Sequence, residues 1–243
     1  MPSDRRKKAS ASRKSASPPK KRAGKPPESF VPDLRAYARQ IHRRLLKEFG
    51  PVETPLKFKS PHELVIAVIL SAQCTDEQVN RVTPELFRVF KRPQDFYEAP
   101  SEELERLIYS TGFYKNKARS IRAFCKQLVS DYKGKVPDTL DELVKMPGIG
   151  RKTANVVLNE LHGKSEGIVV DTHVARISRV LEFTTQTDPV KIERDLMKSV
   201  PRKLWLDWAL LIIFLGRKYC GARRRLCDQC PLNDICPSAE IAK

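Results

Sequence analysis

Apolar side chains recur every three or four positions in ten stretches: 33–48, 61–72, 76–90, 101–109, 117–131, 138–146, 151–162, 171–181, 188–199 and 203–216. That period predicts helices with one buried stripe. Pro or Gly punctuates many of the joins. The two-residue alternation of strands is scarce; Gly167-Ile168-Val169-Val170 comes nearest, and it is short. The longest apolar runs, 64–70 and 208–215, fall far below the roughly 20 residues that span a bilayer, so they predict core helices. No internal repeat is present. The expected fold is all-α, in about 215 residues from Ser29 onward, enough for one large domain or two small ones.

One join carries more information than the others. Thr139-Leu140-Asp141-Glu142 reads as a T-x-x-E capping box at a helix start, and Pro147-Gly148 as that helix's stop. A second helix begins near Arg151, so Gly148-Ile149-Gly150-Arg151-Lys152-Thr153 forms a helix-hairpin-helix over 138–162. A phosphate-binding P-loop is excluded because arginine precedes Lys152 and the preceding run is helical. A dinucleotide fingerprint fails because Thr153 stands where its third glycine belongs. What remains is a nest of backbone N–H groups at a positive helix end, suited to one backbone phosphate, or an ordinary turn between packed helices.

Charge narrows the choice. The chain carries a net +17, of which +8 lies in residues 1–29 and +9 in the remainder. A folded body that basic points to a polyanion, with nucleic acid the commonest. The 1–29 segment is rich in Ser, Pro, Ala and Lys and is expected to be a disordered basic tail. It has no apolar core of a secretory signal. It suits a DNA tether, a nuclear address or a transit peptide. The expected location is cytoplasmic and nucleoid-associated in a prokaryote, nuclear or mitochondrial in a eukaryote, with no membrane attachment.

Cys220, Cys227, Cys230 and Cys236 follow C-x6-C-x2-C-x5-C within seventeen residues. Four thiols so close, without a secretory signal, read as metal ligands rather than disulfides. Structural zinc more often uses two C-x2-C hooks or brings in histidine, whereas a [4Fe-4S] cluster also takes four thiolates and is bulkier. Zinc stays open as the alternative. Arg223, Arg224 and Arg225, in the first gap, form a candidate phosphate clamp. Cys74 and Cys125 are expected to be buried thiols, and no histidine is assigned a role.

Taken together, the run 143–158, Val170-Asp171-Thr172-His173-Val174-Ala175-Arg176, the four-cysteine loop and Leu70-Ser71-Ala72-Gln73-Cys74-Thr75-Asp76 resemble the endonuclease III family of DNA base-excision glycosylases. The resemblance runs from about residue 33 to about 237. It implies two lobes: a six-helix barrel over 55–164, and a discontinuous [4Fe-4S] lobe made of 30–54 and 165–243. It implies double-stranded DNA with damaged bases or abasic sites as partner, bound by a monomer. It makes Lys152 the nucleophile and Asp171, nineteen residues on, its carboxylate partner. Gly148, Gly150, Arg151 and Thr153 become DNA contacts. Gln73 matches a residue that enters the stack vacated by the flipped base, and Phe113 a wedge that is usually leucine. Phe113 and Cys74 depart from the family pattern. The adenine-removing branch lacks the lysine, and a mismatch-thymine branch has tyrosine there. Lysine therefore favours a bifunctional glycosylase and lyase for oxidised pyrimidines such as thymine glycol. The end at Lys243 agrees, since the adenine branch typically carries a further C-terminal domain.

The chemistry is consistent with those residue types. An amine can attack C1′ and form a Schiff base, which acidifies the adjacent sugar proton. A lysine in water costs about 4–5 kcal/mol to neutralise at pH 7. A helix N-terminus supplies about 0.3–1 kcal/mol of that. Desolvation by bound DNA must supply most of the rest. An aspartate opposite would steady the developing positive sugar, though one before Thr-His is equally a helix cap. Three rival readings stay open: a non-catalytic helix-hairpin-helix module, a monofunctional glycosylase for another lesion, and an iron–sulfur carrier.

Overall fold

The computed structural model describes residues 33–240; the basic tail expected over 1–29 lies outside them. The described residues hold eleven α-helices: α1 Leu34–Phe49, α2 Pro61–Leu70, α3 Asp76–Val89, α4 Pro93–Glu98, α5 Ser101–Ile108, α6 Tyr114–Tyr132, α7 Leu140–Leu143, α8 Arg151–His162, α9 Thr172–Val180, α10 Pro189–Ser199 and α11 Trp205–Lys218. Among those residues the sole β pairing is an isolated bridge between Cys220 and Arg225. The segment around Ile168 and Val169 is buried but forms no strand. The all-α expectation holds.

Two hydrophobic cores organise these helices. The first is built around α2, whose residues from Leu64 to Leu70 are all buried, with α3, α5, α6 and α8 supplying Val79, Leu104, Ile108, Ile121, Phe124 and Val157. Val65, Ile66, Val68 and Ile69 are indifferent helix formers, each a few tenths of a kcal/mol worse than Ala. Burying each contributes about 1.5–3 kcal/mol, so tertiary burial, not propensity, makes α2 helical. The second core joins α1 to α9, α10 and α11 through Tyr37, Ile41, Leu45, Val174, Ile177, Leu196, Trp208 and Leu215. Chain order separates α1 from its partners by the whole of the first core.

The cores meet along α8, where Val156 packs against both. Three polar ties cross the seam. Arg151 pairs with Glu193 of α10 at 3.3 Å, and Arg217 of α11 with Asp76 of α3 at 2.8 Å. Asn159 donates from Nδ2 to the Leu206 carbonyl at 3.3 Å.

Two local readings need correction. The Thr139 capping box does not form: the hydroxyl donates to the Glu142 carboxylate at 3.2 Å instead of accepting a backbone N–H. Its helix is a single turn, Leu140–Leu143, and ends before Pro147. Helix α4 was not among the ten stretches, because its six residues bury only Phe96. Its signals were Pro93 at the helix start and Asp95, whose carboxylate accepts the Lys91 and Arg92 N–H groups at 2.9 Å each.

The hairpin depends on Gly148. Its φ is +76°, and an added Cβ would lie 2.8 Å from the Ser120 Cβ. Gly148→Ala combines a left-handed alanine with that clash and is expected to destabilise by about 1–3 kcal/mol, read by thermal denaturation. An unchanged melting temperature would mean that the turn can be rebuilt. Ile149, 4% exposed, anchors the hairpin tip in the first core, and its N–H donates to the Met146 carbonyl at 3.2 Å.

Candidate active site

Helix α8 opens without a side-chain cap. Gly150 is its N-cap, no acid stands in its first turn, and a Cβ at Gly150 would meet nothing within 4 Å. The first backbone N–H groups of the helix therefore keep their donor capacity. Lys152 is exposed in that first turn and makes no hydrogen bond or ion pair with any described residue. Thr153 beside it is half-buried. Arg151, also exposed, bonds Glu193 at 3.4 and 3.3 Å.

Asp171 is the N-cap of α9. Its Oδ1 accepts the Val174 N–H at 2.8 Å, so the capping role is real. The carboxylate is half-buried, and its other oxygen has no partner among the described residues. Lysine and aspartate come from opposite sides of the seam. Helix α8 is anchored in the first core by Ala154, Val157 and Leu158, and α9 in the second by Val174 and Ile177. The linker 163–170 joins them. A primary amine and a carboxylate presented by two helix N-termini suit an anionic substrate that becomes cationic at one carbon.

Gln73 and Phe113 share an unusual backbone. Four non-glycine residues among the described ones have positive φ. Lys133 and Glu182 end helices, where this conformation is common. Gln73, at +53°, lies in the turn between α2 and α3, and Phe113, at +48°, begins α6. Both side chains are exposed, Phe113 by 64%. A left-handed phenylalanine is an outlier for a bulky residue, and such strain concentrates where a side chain is held out for use. Tyr109 and Tyr114, with ring centroids 4.8 Å apart, flank it. One residue of this region was missed at the sequence level. Lys117, given no role from the sequence, shares the buried face of α6 with Ile121, Phe124 and Leu128.

The four C-terminal cysteines line one small cavity whose other walls include Ile177, Leu181, Leu215 and Leu232. Among the described residues no three His, Cys, Asp or Glu side chains converge on a position for a single ion. Burial, then the other three thiolates, pushes the Cys230 thiol up to about 11, and burial raises Cys236 as well. Several groups hold the loop. Arg44 donates to the Pro231 carbonyl at 3.0 Å and pairs with Asp234. Arg176 donates to the Cys220 carbonyl at 2.6 Å and reaches its Sγ at 3.8 Å. Arg225 is taken into this framework, bonding the Ser238 carbonyl at 3.2 Å and Glu240. Arg223 and Arg224 remain exposed at the loop tip. Cys125 is fully buried, as expected of a core thiol, and Cys74 only half-buried.

No helix among the described residues is long and apolar enough to cross a membrane. Residues 66–202 match the model of the HhH-GPD superfamily base excision DNA repair proteins. The chain is 46% identical to endonuclease III of Synechocystis over 199 residues, 82% of this chain and 91% of that protein. It is 47% identical to endonuclease III of Bacillus subtilis over 77% of this chain and 86% of that one. A trapped covalent endonuclease III–DNA intermediate superposes with a TM-score of 0.78 at 43% identity, covering 84% of this chain and 96% of that structure. With its hairpin and its lysine inside the 66–202 match, and with relatives of this identity and coverage, the chain belongs to the endonuclease III family of the HhH-GPD superfamily.

Proposed function

We propose that this protein is a base-excision DNA glycosylase and abasic-site lyase, acting on oxidised pyrimidines of the thymine glycol kind in duplex DNA. The observation that carries the reading is Lys152, an exposed amine without a partner in the first turn of an uncapped helix. In this reading Gln73 and Phe113 invade the stack, and the damaged nucleotide swings out. The Lys152 amine attacks C1′; the N–C1′ bond forms as the glycosidic bond breaks, and the base leaves with the bonding pair and takes up a proton. The sugar ring opens to a Schiff base, C2′ loses a proton, and the 3′ phosphate departs. Asp171 faces the sugar as it becomes positive. The amides of the Gly148–Gly150 hairpin, with Thr153, hold a phosphate, and Arg223 and Arg224 hold another part of the backbone. The barrel lobe takes 55–164; 30–54 and 165–243 form the second lobe.

For the cysteines the reading is a [4Fe-4S] cluster. Zinc needs four sulfurs about 2.3 Å from one centre. Four thiols around one cavity supply the four cysteine ligands that such a cluster takes, and the residues present fit it. When bound, it supplies a rigid tie for the 220–236 loop and hence for Arg223 and Arg224. Purified protein should contain iron and inorganic sulfide at about four each per chain. One zinc per chain would overturn that assignment.

The function itself is tested by incubating purified protein with duplexes carrying either thymine glycol or an abasic site. Both should be nicked on the 3′ side of the lesion. A purely DNA-binding module cuts neither, and a monofunctional glycosylase leaves the abasic strand whole.

A further inference from the structure

Lys117 is 5% exposed, and no carboxylate among the described residues pairs with its ammonium. The nitrogen donates instead to two backbone carbonyls, Leu70 at 2.8 Å and Thr111 at 2.7 Å. Leu70 is the last residue of α2, and its carbonyl lies at the negative end of that helix. Thr111 closes the turn Tyr109–Thr111 that leads into Phe113. Gln73 follows Leu70 by three residues, and Phe113 follows Thr111 by two. The Lys117 backbone N–H also donates to the Phe113 carbonyl at 3.0 Å, closing the turn around that left-handed residue. A second tie lies nearer the surface and runs from Gln78 Nε2, in the first turn of α3 just past the Gln73 turn, to Ser110 Oγ in the Tyr109–Thr111 turn at 2.8 Å.

Burying an ammonium against neutral carbonyls, with no counter-charge, is unfavourable, and an apolar side chain would fill the space more stably. Burial lowers the lysine's pKa, and the nearby Cys74 thiol acts in the opposite direction, toward the charged form. What an apolar replacement would lose is the common anchor of the two segments. We infer that Lys117 is a positioning residue that fixes the spacing between the Gln73 and Phe113 loops, so that both side chains enter the DNA stack together. This rests on the assignment of Gln73 and Phe113 as wedges in the proposed function.

The experiment compares Lys117→Met, Lys117→Arg, Phe113→Ala and the parent in three assays. The first is single-turnover excision from a thymine glycol duplex, and the second is cleavage of a single-stranded abasic oligonucleotide, which has no stack to invade. The third is the fluorescence of 2-aminopurine placed opposite a tetrahydrofuran site in duplex DNA, which rises when the stack is opened. Lys117→Met should slow duplex excision by about tenfold or more and blunt the fluorescence rise, while single-strand cleavage is little changed. Lys117→Arg, which keeps donors at that place, should recover part of both. Equal losses on duplex and single strand, or no loss on duplex, overturn the inference. If Phe113→Ala leaves excision and fluorescence intact, the wedge assignment itself fails. If Phe113→Ala impairs them and Lys117→Met does not, only the brace fails. Should Lys117→Met not fold, Gln78→Ala decides through the surface tie: a loss confined to duplex substrates supports the coupling, and none overturns it.

Discussion

Lys152→Gln is expected to abolish borohydride-trapped protein–DNA complexes and to lower strand nicking by about 10³-fold or more. An imine needs a primary amine, and the glutamine amide has none, although it nearly matches lysine in reach and keeps a donor. The side chain is exposed and bonds to no described residue, so the folded state has little to lose. Its stability, read from the melting temperature, should stay within the roughly 0.5 kcal/mol band of surface substitutions. Binding to a lesion duplex should weaken only by what one cation contributes among several phosphate contacts, and that loss should shrink as salt rises. Trapping, nicking and anisotropy measured on one preparation at one salt concentration separate these effects. Persistent trapping by the glutamine variant would move the nucleophile elsewhere.

Legibility in the sequence followed the physics that writes each feature. Helices α1, α3, α8 and α10 bury a stripe over at least eleven residues, and periodicity alone located them to within a residue or two. Helix α4 has one buried side chain, too few to define a period. Gly148 was legible because its backbone demands glycine, whereas the left-handed φ at Phe113 was not, since phenylalanine is no turn signal. Lys117 has no signal of its own in the sequence, because a lysine on the apolar face of α6 looks like any other charged residue of a helix. The packing of α1 on α9, α10 and α11 has no trace in local pattern; it came only from the family resemblance. The Arg151–Glu193 pair likewise spans forty-two positions and both cores, so no local pattern in the sequence signals it.

Asp171 is both a helix cap and the proposed catalytic carboxylate, and two substitutions separate those jobs. Asparagine caps helices about as well as aspartate, so Asp171→Asn keeps an acceptor for the Val174 N–H while removing the charge. Asp171→Ala removes both. The alanine variant should lose about 1 kcal/mol of stability and roughly 2–4 °C of melting temperature, and the asparagine variant little of either. Excision of thymine glycol should nevertheless fall in both, by about 10²–10³-fold, because a neutral amide cannot steady a sugar that becomes cationic. If capping were the whole role, activity would follow stability: Asp171→Asn would stay near the parent and only Asp171→Ala would decline. Asp171→Asn therefore keeps the parent's stability while losing its activity, and a pair of melting curves beside a pair of single-turnover rates decides between cap and catalyst.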